Sequence, residues 1–282
     1  MSPLPVDRTI AALRARLALW RGTGAKPIAL VPTMGALHAG HLSIVREARK
    51  RAGRVLVSIF VNPKQFAPNE DFQRYPRDQA ADLAKLSDNG ADAVFAPTVD
   101  EMYPPGFATS VDVSGPALDL EATTRPHFFG GVATVVTKLF VAATPDIALF
   151  GEKDYQQLLV IRRMVADLAL PIEIVGYPTV REQDGLALSS RNAYLTPTDR
   201  AKAPGLYKAL QNASVAIRSG MAGHVATTIA EEELTKAGFL VDYVKVRNAE
   251  TLARVTDPRA EPMRLLAAAW LGKTRLIDNI QV

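Results

Sequence analysis

The chain has 282 residues, no cysteine and a formal net charge of +4, with 48% hydrophobic and 22% charged residues. That balance belongs to a globular protein with a filled core, long enough for one large domain or two smaller ones. It excludes disulfides, thiolate zinc sites and a cysteine nucleophile, and no apolar run approaches the roughly 20 residues of a membrane span.

Read from the N-terminus, MSPLPVDRTIAALRARLALW lacks the pattern of a signal peptide, because Arg14 and Arg16 interrupt its apolar stretch. Residues 7–21 instead predict an amphipathic helix, and the protein is expected in the cytoplasm. Residues 27–31 predict a strand and 41–52 a helix. The segment RVLVSIFV, residues 54–61, is a near-continuous β-branched run, as in a strand covered on both faces. Residues 78–87 read as a helix stopped by Asn89-Gly90, and 93–96 as the next strand. Then come a helix over 132–143, a strand over 147–150, a helix over 155–168 and a strand over 172–175. This alternation predicts an α/β fold, a Rossmann-like parallel sheet with helices on both faces. The pattern changes after about Thr179. Residues 197–219 and 223–237 are helical candidates, and 240–246, 264–271 and 274–282 have strand patterning. The expected domains are therefore a Rossmann-like one over 1–178 and a smaller α+β one over 179–282.

The densest basic cluster, REARKRAGR over residues 46–54, is expected to be the solvated face of a helix and not a nucleic-acid site. A modest positive potential also favours small anionic substrates.

The chain has only four histidines, and two of them, His38 and His41, stand three residues apart in PTMGALHAGH. A strand, a turn containing Gly35 and Gly40, and a helix start together describe a phosphate site, because N–H groups at a helix start favour an anion. Three readings compete. His-x-x-His can ligate a metal, but no glutamate follows in HExxH fashion and no cysteine completes a zinc set. The pair can be structural. Or the imidazoles can donate to phosphate oxygens as charge builds on them, the reading favoured here.

Three further segments follow strands or turns. In NPKQF, Gln65 offers a donor and acceptors to a substrate with hydroxyls and a carboxylate, although a lone loop glutamine is usually just solvated. In FGEKDYQQ, Gly151 allows close approach and Lys153 is a compact cation for phosphate; a surface salt bridge is the plain alternative. In LSSR, two hydroxyls and a guanidinium fit phosphate oxygens, though such a tripeptide alone means little. Asp184-Gly185 before it is a turn signal consistent with a mobile loop.

PTMGALHAGHLSIV, SIFVNPKQF, FGEKDYQQ and VREQDGLALSSRN, in that order, closely resemble the pantothenate synthetase family, within the superfamily of nucleotidyltransferases that carry a HIGH signature. The resemblance covers essentially the whole chain. It implies an ATP-dependent ligase that condenses pantoate with β-alanine through a pantoyl adenylate, releasing AMP and pyrophosphate. It implies that Met34, Gly35, Ala36, Leu37, His38, Ala39, Gly40 and His41 contact ATP, as do Gly151, Glu152, Lys153, Asp154, Val180, Leu188, Ser189, Ser190 and Arg191. His38, His41 and Lys153 are the implied catalytic residues, and Gln65, Gln157 and Asn62 the implied contacts of pantoate and β-alanine. Mg2+ is implied with the ATP; Asp82 is a weak candidate ligand and equally an ordinary solvated helix residue. A homodimer, and closure of the second domain over the first, are implied too, with no nucleic-acid or membrane partner. Two departures stand out. RPHFFGGV, residues 125–132, differs from the RPGHFRGV of many relatives, so no role is assigned to His127. Ala39 stands where an acidic residue is frequent. His224 reads as a surface residue. The rivals are another nucleotidyltransferase and a non-catalytic nucleotide- or RNA-binding module; the latter would bind with steep salt dependence.

Overall fold

The computed structural model describes residues 4–67 and 71–282. It divides into two compact units: the first runs up to Glu152 and adds Val160–Tyr177, and the second takes Lys153–Leu159 and Pro178–Val282. The first unit contains β1 (Val6–Asp7), α1 (Ile10–Gly22), β2 (Ile28–Thr33), α2 (Ala39–Arg51), β3 (Arg54–Ile59), α3 (Gln79–Asp88), β4 (Ala93–Phe95), α4 (Val99–Met102), α5 (Glu121–Thr124), α6 (Phe128–Ala143), β5 (Ile147–Gly151), the later part of α7 (Tyr155–Asp167) and β6 (Glu173–Tyr177).

Its strands form one sheet in the order β1-β4-β3-β2-β5-β6, with every neighbouring pair parallel. The α/β class read from the alternation is the class observed. The β-branched run explains the centre of the sheet: Val55, Leu56 and Val57 of β3 are all fully buried. One face packs Ala29, Val31, Val55, Val57 and Val94 against Val45 and Ala48 of α2 and Leu86 of α3. Each such side chain taken from water contributes about 1.5–3 kcal/mol if fully buried. On the alternate face Leu30 and Leu56 are equally buried, as are Leu13 and Leu17 of α1 and Phe140 of α6. The ring of Phe140 meets that of Phe150 on β5 edge-on at 6.4 Å.

Element ends differ from the sequence expectation where side chains set them. Helix α1 starts at Ile10 because Thr9 caps it, accepting from the Ala12 amide at 3.1 Å. Residues 6–7 form an edge strand beside β4 instead of helix. Helix α2 starts at Ala39, ahead of the expected 41, because His38 is its cap. Helix α6 starts about one turn early, at Phe128.

The strand order steps outward from β2 to β4 on one side and to β6 on the other, so its direction reverses between β2 and β5. In open sheets of this kind ligands bind beyond the carboxyl ends of the strands at that reversal. PTMGALHAGH leaves β2 at this end and NPKQF leaves β3 there.

The second unit contains the short α8 (Pro197–Lys202), α9 (Gly205–Arg218), α10 (Gly223–Lys236) and an antiparallel meander of β7 (Leu240–Asn248), β8 (Met263–Leu271) and β9 (Thr274–Gln281). The single helix expected over 197–219 is two, because Pro204 lacks the N–H that would continue it. Leu206, Leu210 and Ile217 of α9, with Ala230 and Leu234 of α10, pack on Val244, Leu265 and Leu271. Among the described residues no helix is long and apolar enough to cross a membrane.

Candidate active site

The turn after β2 is bent by two residues of positive φ, Gly35 at +81° and Ala36 at +52°. Glycine is needed at 35 twice over. A Cβ there would also stand 3.1 Å from Asp82 Oδ2 and 3.2 Å from Ile59 Cγ2. Ala36 takes the same region with a side chain, at a cost of roughly 1–2 kcal/mol. Hydrogen bonds offset it. The Ala36 N–H donates to Asp82 Oδ2 at 2.9 Å and the Leu37 N–H to Asp82 Oδ1 at 2.8 Å. Lys85, one turn on from Asp82 along α3, donates from Nζ to the Leu37 carbonyl at 2.8 Å. Thr33 closes the base of the turn, accepting from Gly35 N–H and donating to the Ser58 carbonyl at 2.7 Å. The turn is thus gripped on both its N–H and C=O sides by α3.

Asp82 is only 2% exposed and both its oxygens hold backbone amides. This corrects the reading of Asp82 as a solvated helix residue: it is buried, and each of its oxygens holds one backbone amide of the turn. Among the described residues no group of three His, Asp or Glu side chains is placed to hold a metal ion. The metal reading of the histidine pair lacks its third ligand for the same reason.

His38 caps α2 and His41 occupies its third position in a reciprocal capping box. The Gly40 N–H donates to His38 Nδ1 at 3.2 Å, and the His38 N–H to His41 Nδ1 at a long 3.4 Å. The rings lie face to tilted face with centroids 4.0 Å apart. An Nδ1 that accepts from an amide leaves the proton on Nε2. Both imidazoles are therefore held as Nε2–H donors on one side of the helix start. The sequence offered the backbone N–H groups of this turn to an anion. In the structure those of Ala36, Leu37, His38 and Gly40 donate to side chains.

After β3 the chain makes a single tight turn, Pro63–Gln65, capped by Asn62. Asn62 is 1% exposed and Gln65 9%. Asn62 Oδ1 accepts from Tyr103 Oη at 2.8 Å and from the Lys64 N–H at 3.3 Å; its Nδ2 donates to Gln65 Oε1 at 3.0 Å and to the Gly131 carbonyl at 3.1 Å. The amide has two donor protons and two strong acceptor directions, and all four are occupied. Asn62 is therefore a support of the site and not a substrate contact, a correction to the expectation. Arg125 Nη2 donates to the Gln65 carbonyl at 2.9 Å. Glycine at 131 lets α6 approach so closely: a Cβ there would lie 2.1 Å from the Lys64 carbonyl oxygen.

The residues of FGEKDYQQ follow β5. Gly151 ends that strand and Glu152–Asp154 form one tight turn before α7. Lys153 and Gln157 belong to the second unit, where both are half-buried. The Lys153 carbonyl accepts from Asn279 Nδ2 at 2.8 Å, and Tyr155 Oη donates to the Ala249 carbonyl at 2.7 Å. Gln156 is 4% exposed. Val180 and Leu188 close a hairpin through Leu188 N–H to the Val180 carbonyl at 3.0 Å, with Gly185 at φ +93° in its tip. Asp184 and Gly185 form the turn that the Asp-Gly signal predicts, with the Gly185 N–H donating to the Glu182 carbonyl at 3.0 Å. Arg181 forms a bidentate pair with buried Asp278 at 2.6 and 2.8 Å and stacks on Tyr207. Asp184 pairs with Arg200 at 2.6 Å, and that contact holds its carboxyl below the ordinary range. Ser189 caps the turn Ser190–Tyr194 by accepting from the Arg191 N–H at 3.3 Å.

His127 and His224 are both exposed. Sequence reasoning missed Lys85, Tyr103, Arg125 and Gly131, because their partners are 48, 41, 60 and 69 positions away in the chain.

The chain is similar to known proteins over nearly its full length. The family profile described as pantoate-beta-alanine ligase matches residues 6–281. A pantothenate synthetase of Rhodopseudomonas palustris is 54% identical, over 99% of each chain, and one of Rhodospirillum rubrum is 55% identical over 100% of each. The crystal structure of pantothenate synthetase from Thermus thermophilus superposes with a TM-score of 0.92 at 48% identity, over 99% of each chain. A pantoate-beta-alanine ligase of Francisella tularensis, complexed with beta-gamma ATP and beta-alanine, superposes with a TM-score of 0.80 at 32% identity, over 99% of this chain and 97% of that one.

Proposed function

The chain belongs to the pantoate-beta-alanine ligase family, and from that premise we propose that it joins pantoate to β-alanine with ATP by way of a pantoyl adenylate. A carboxylate does not condense with an amine at neutral pH without activation. In the first step a pantoate carboxylate oxygen attacks the α-phosphorus of ATP and pyrophosphate leaves. In the second the amine of β-alanine attacks the acyl carbon, AMP leaves and the amine loses its proton. No enzyme nucleophile is required. Catalysis is then positioning and electrostatics.

One observation carries this reading: two stacked imidazoles at the carboxyl end of β2, beside the reversal of the sheet, whose Nδ1 atoms face backbone amides so that Nε2–H is the donor. They are suited to phosphate oxygens as negative charge develops, and His41 can serve as proton donor. Met34, Gly35, Ala36, Leu37, Ala39 and Gly40 shape the turn that carries the nucleotide. Gln65, at the end of β3, is suited to hold pantoate, with Gln157 as its second contact. Gly151, Glu152, Lys153 and Asp154 are assigned to the nucleotide, with Lys153, Ser189, Ser190 and Arg191 stabilising the leaving pyrophosphate. The backbone of Val180 borders the base, and Leu188 contacts the nucleotide. Mg2+ would ride on the ATP phosphates and keep most of its waters, which suits a chain whose described residues assemble no three-ligand set. We take the protein to act in the cytoplasm as a homodimer.

Product analysis tests the reading. With ATP and Mg2+, pantothenate, AMP and pyrophosphate should appear together only when pantoate and β-alanine are both present. Folded protein that binds ATP yet makes no pantoate-dependent AMP would contradict it.

A further inference from the structure

We propose that Tyr103 is a positioning residue that steadies, through Asn62, the orientation in which the Gln65 amide faces the substrate. The inference rests on the reading that Gln65 holds pantoate.

The polarity of the Asn62 amide is decided by two groups that cannot change theirs. The Lys64 N–H can only donate, so the atom facing it at 3.3 Å is the Asn62 oxygen. The Gly131 carbonyl can only accept, so the atom facing it at 3.1 Å is the nitrogen. Two consequences follow. Tyr103 Oη, 2.8 Å from the same oxygen, must act as donor. The Gln65 atom 3.0 Å from Asn62 Nδ2 must be Oε1. The other end of the Gln65 side chain is then its NH2, with two protons. The polarity runs from the Lys64 N–H and the Gly131 carbonyl through Asn62 to Gln65 and ends in a donor, and the phenol makes the shorter of the two bonds that hold the Asn62 oxygen. Such an end recognises a carboxylate or hydroxyl oxygen and not an ammonium. All of these residues lie within the first unit.

The phenol is built to stay in place. Its ring packs against Phe60 at 6.1 Å and edge-on against Phe107 at 5.1 Å. Lys64 Nζ lies 5.3 Å from the Tyr103 ring centroid and 5.2 Å from that of Phe107. Burial holds the hydroxyl protonated well above its ordinary range, so it remains a donor at every working pH. Removing it leaves a buried amide oxygen with only the long Lys64 bond, and Asn62 is freed to tilt. Gln65 then loses the fixed partner that selects its amide orientation.

The test is a double-mutant cycle read by steady-state kinetics, with thermal unfolding of each variant alongside. Tyr103→Phe keeps the ring and removes the donor. It should raise KM for pantoate roughly 3- to 10-fold, the loss of one supporting hydrogen bond, and leave KM for ATP unchanged. Gln65→Ala should raise KM for pantoate more. In the Gln65→Ala background Tyr103→Phe should have no further effect. Gln65→Glu tests the orientation without touching Tyr103: its carboxylate still accepts from Asn62 but offers the substrate no donor, so it should be as impaired as Gln65→Ala. A wild-type KM for pantoate in Tyr103→Phe beside an impaired Gln65→Ala would overturn the proposal alone. So would an undiminished Tyr103→Phe effect in the Gln65→Ala background, or a Gln65→Glu variant that keeps its affinity for pantoate. Gln65→Ala with an unchanged KM for pantoate would overturn the assignment of Gln65 and this proposal with it.

Discussion

Asp82 on α3 accepts the amide of Leu37, 45 positions earlier in the chain, at 2.8 Å, one residue before the histidine that caps α2. Its other oxygen takes the amide of Ala36, whose φ of +52° would otherwise be unfavourable. The same carboxylate therefore holds the backbone that leads into the helix start and its two imidazoles. Asp82→Asn turns an NH2 against one of the two N–H donors. It should lower kcat about tenfold or more and cost about 1–3 kcal/mol of stability. Kinetics and denaturant unfolding check both. Raising Mg2+ should not restore the rate; full restoration by magnesium would return Asp82 to the role of metal ligand.

The histidine tautomers make a sharper prediction than the presence of histidine alone. His38→Ala and His41→Ala should each lose on the order of 10²-fold or more in rate. His41→Asn can place its oxygen where Nδ1 stands, but nothing where Nε2–H stands. It should keep the thermal stability of the parent while losing the rate as the alanine variant does. Circular dichroism on heating, with product formation at saturating substrates, separates the two quantities.

The glycine pair in RPHFFGGV should respond unequally to alanine. A Cβ at 131 meets backbone, the Lys64 carbonyl oxygen at 2.1 Å, and α6 would have to move away from the turn that holds Asn62 and Gln65. Gly131→Ala should cost about 1–3 kcal/mol or more, as overpacking does, and impair use of pantoate. A Cβ at 130 meets only the Asp112 carboxylate at 2.6 Å, the end of a side chain that can turn aside. Gly130→Ala should be far milder. Equal midpoints in denaturant for the two variants would contradict the close approach.

An acid-labile feature lies in the second unit. The Glu261 carboxylate is held down at about 2, first by the Asp257 N–H and then by Asn248 and Thr256. Because the folded value lies below the unfolded one, the stability it contributes is present above the ordinary 4.5 and is lost as pH falls toward about 2. Carbon-13 NMR of the Glu261 carboxyl should titrate with a midpoint near that lower value. A midpoint at the ordinary carboxylate value would show that the loop bonds do not persist in solution.

How much of this was legible beforehand depends on the range of each signal. The βαβ alternation and the β-branched core of β3 are local patterns, and the parallel sheet followed from them. The His-x-x-His spacing placed both rings on one side of a helix start because i and i+3 share a face. The edge strand at 6–7 left no such mark, since its two residues acquire their state only by pairing with β4. The roles of Asp82 and Asn62 within the fold were hidden for the same reason: Leu37, 45 positions from Asp82, and Tyr103, 41 positions from Asn62, meet them only once the chain has folded. The second unit's claim on Lys153 and Gln157 was also invisible, because these residues continue directly from β5 in the chain. Pro204 is the opposite case: a local breaker in plain view, outweighed by the helical periodicity around it.

The central claim is that pantoate is activated as an adenylate, and oxygen transfer measures it most directly. Pantoate labelled with oxygen-18 in its carboxylate is turned over with ATP and β-alanine, and the products are read by phosphorus-31 NMR. Attack on the α-phosphorus moves one labelled oxygen into the phosphate of AMP and none into pyrophosphate, and that is the expected result. Label in inorganic phosphate with ADP formed, or AMP without label, would contradict the adenylate.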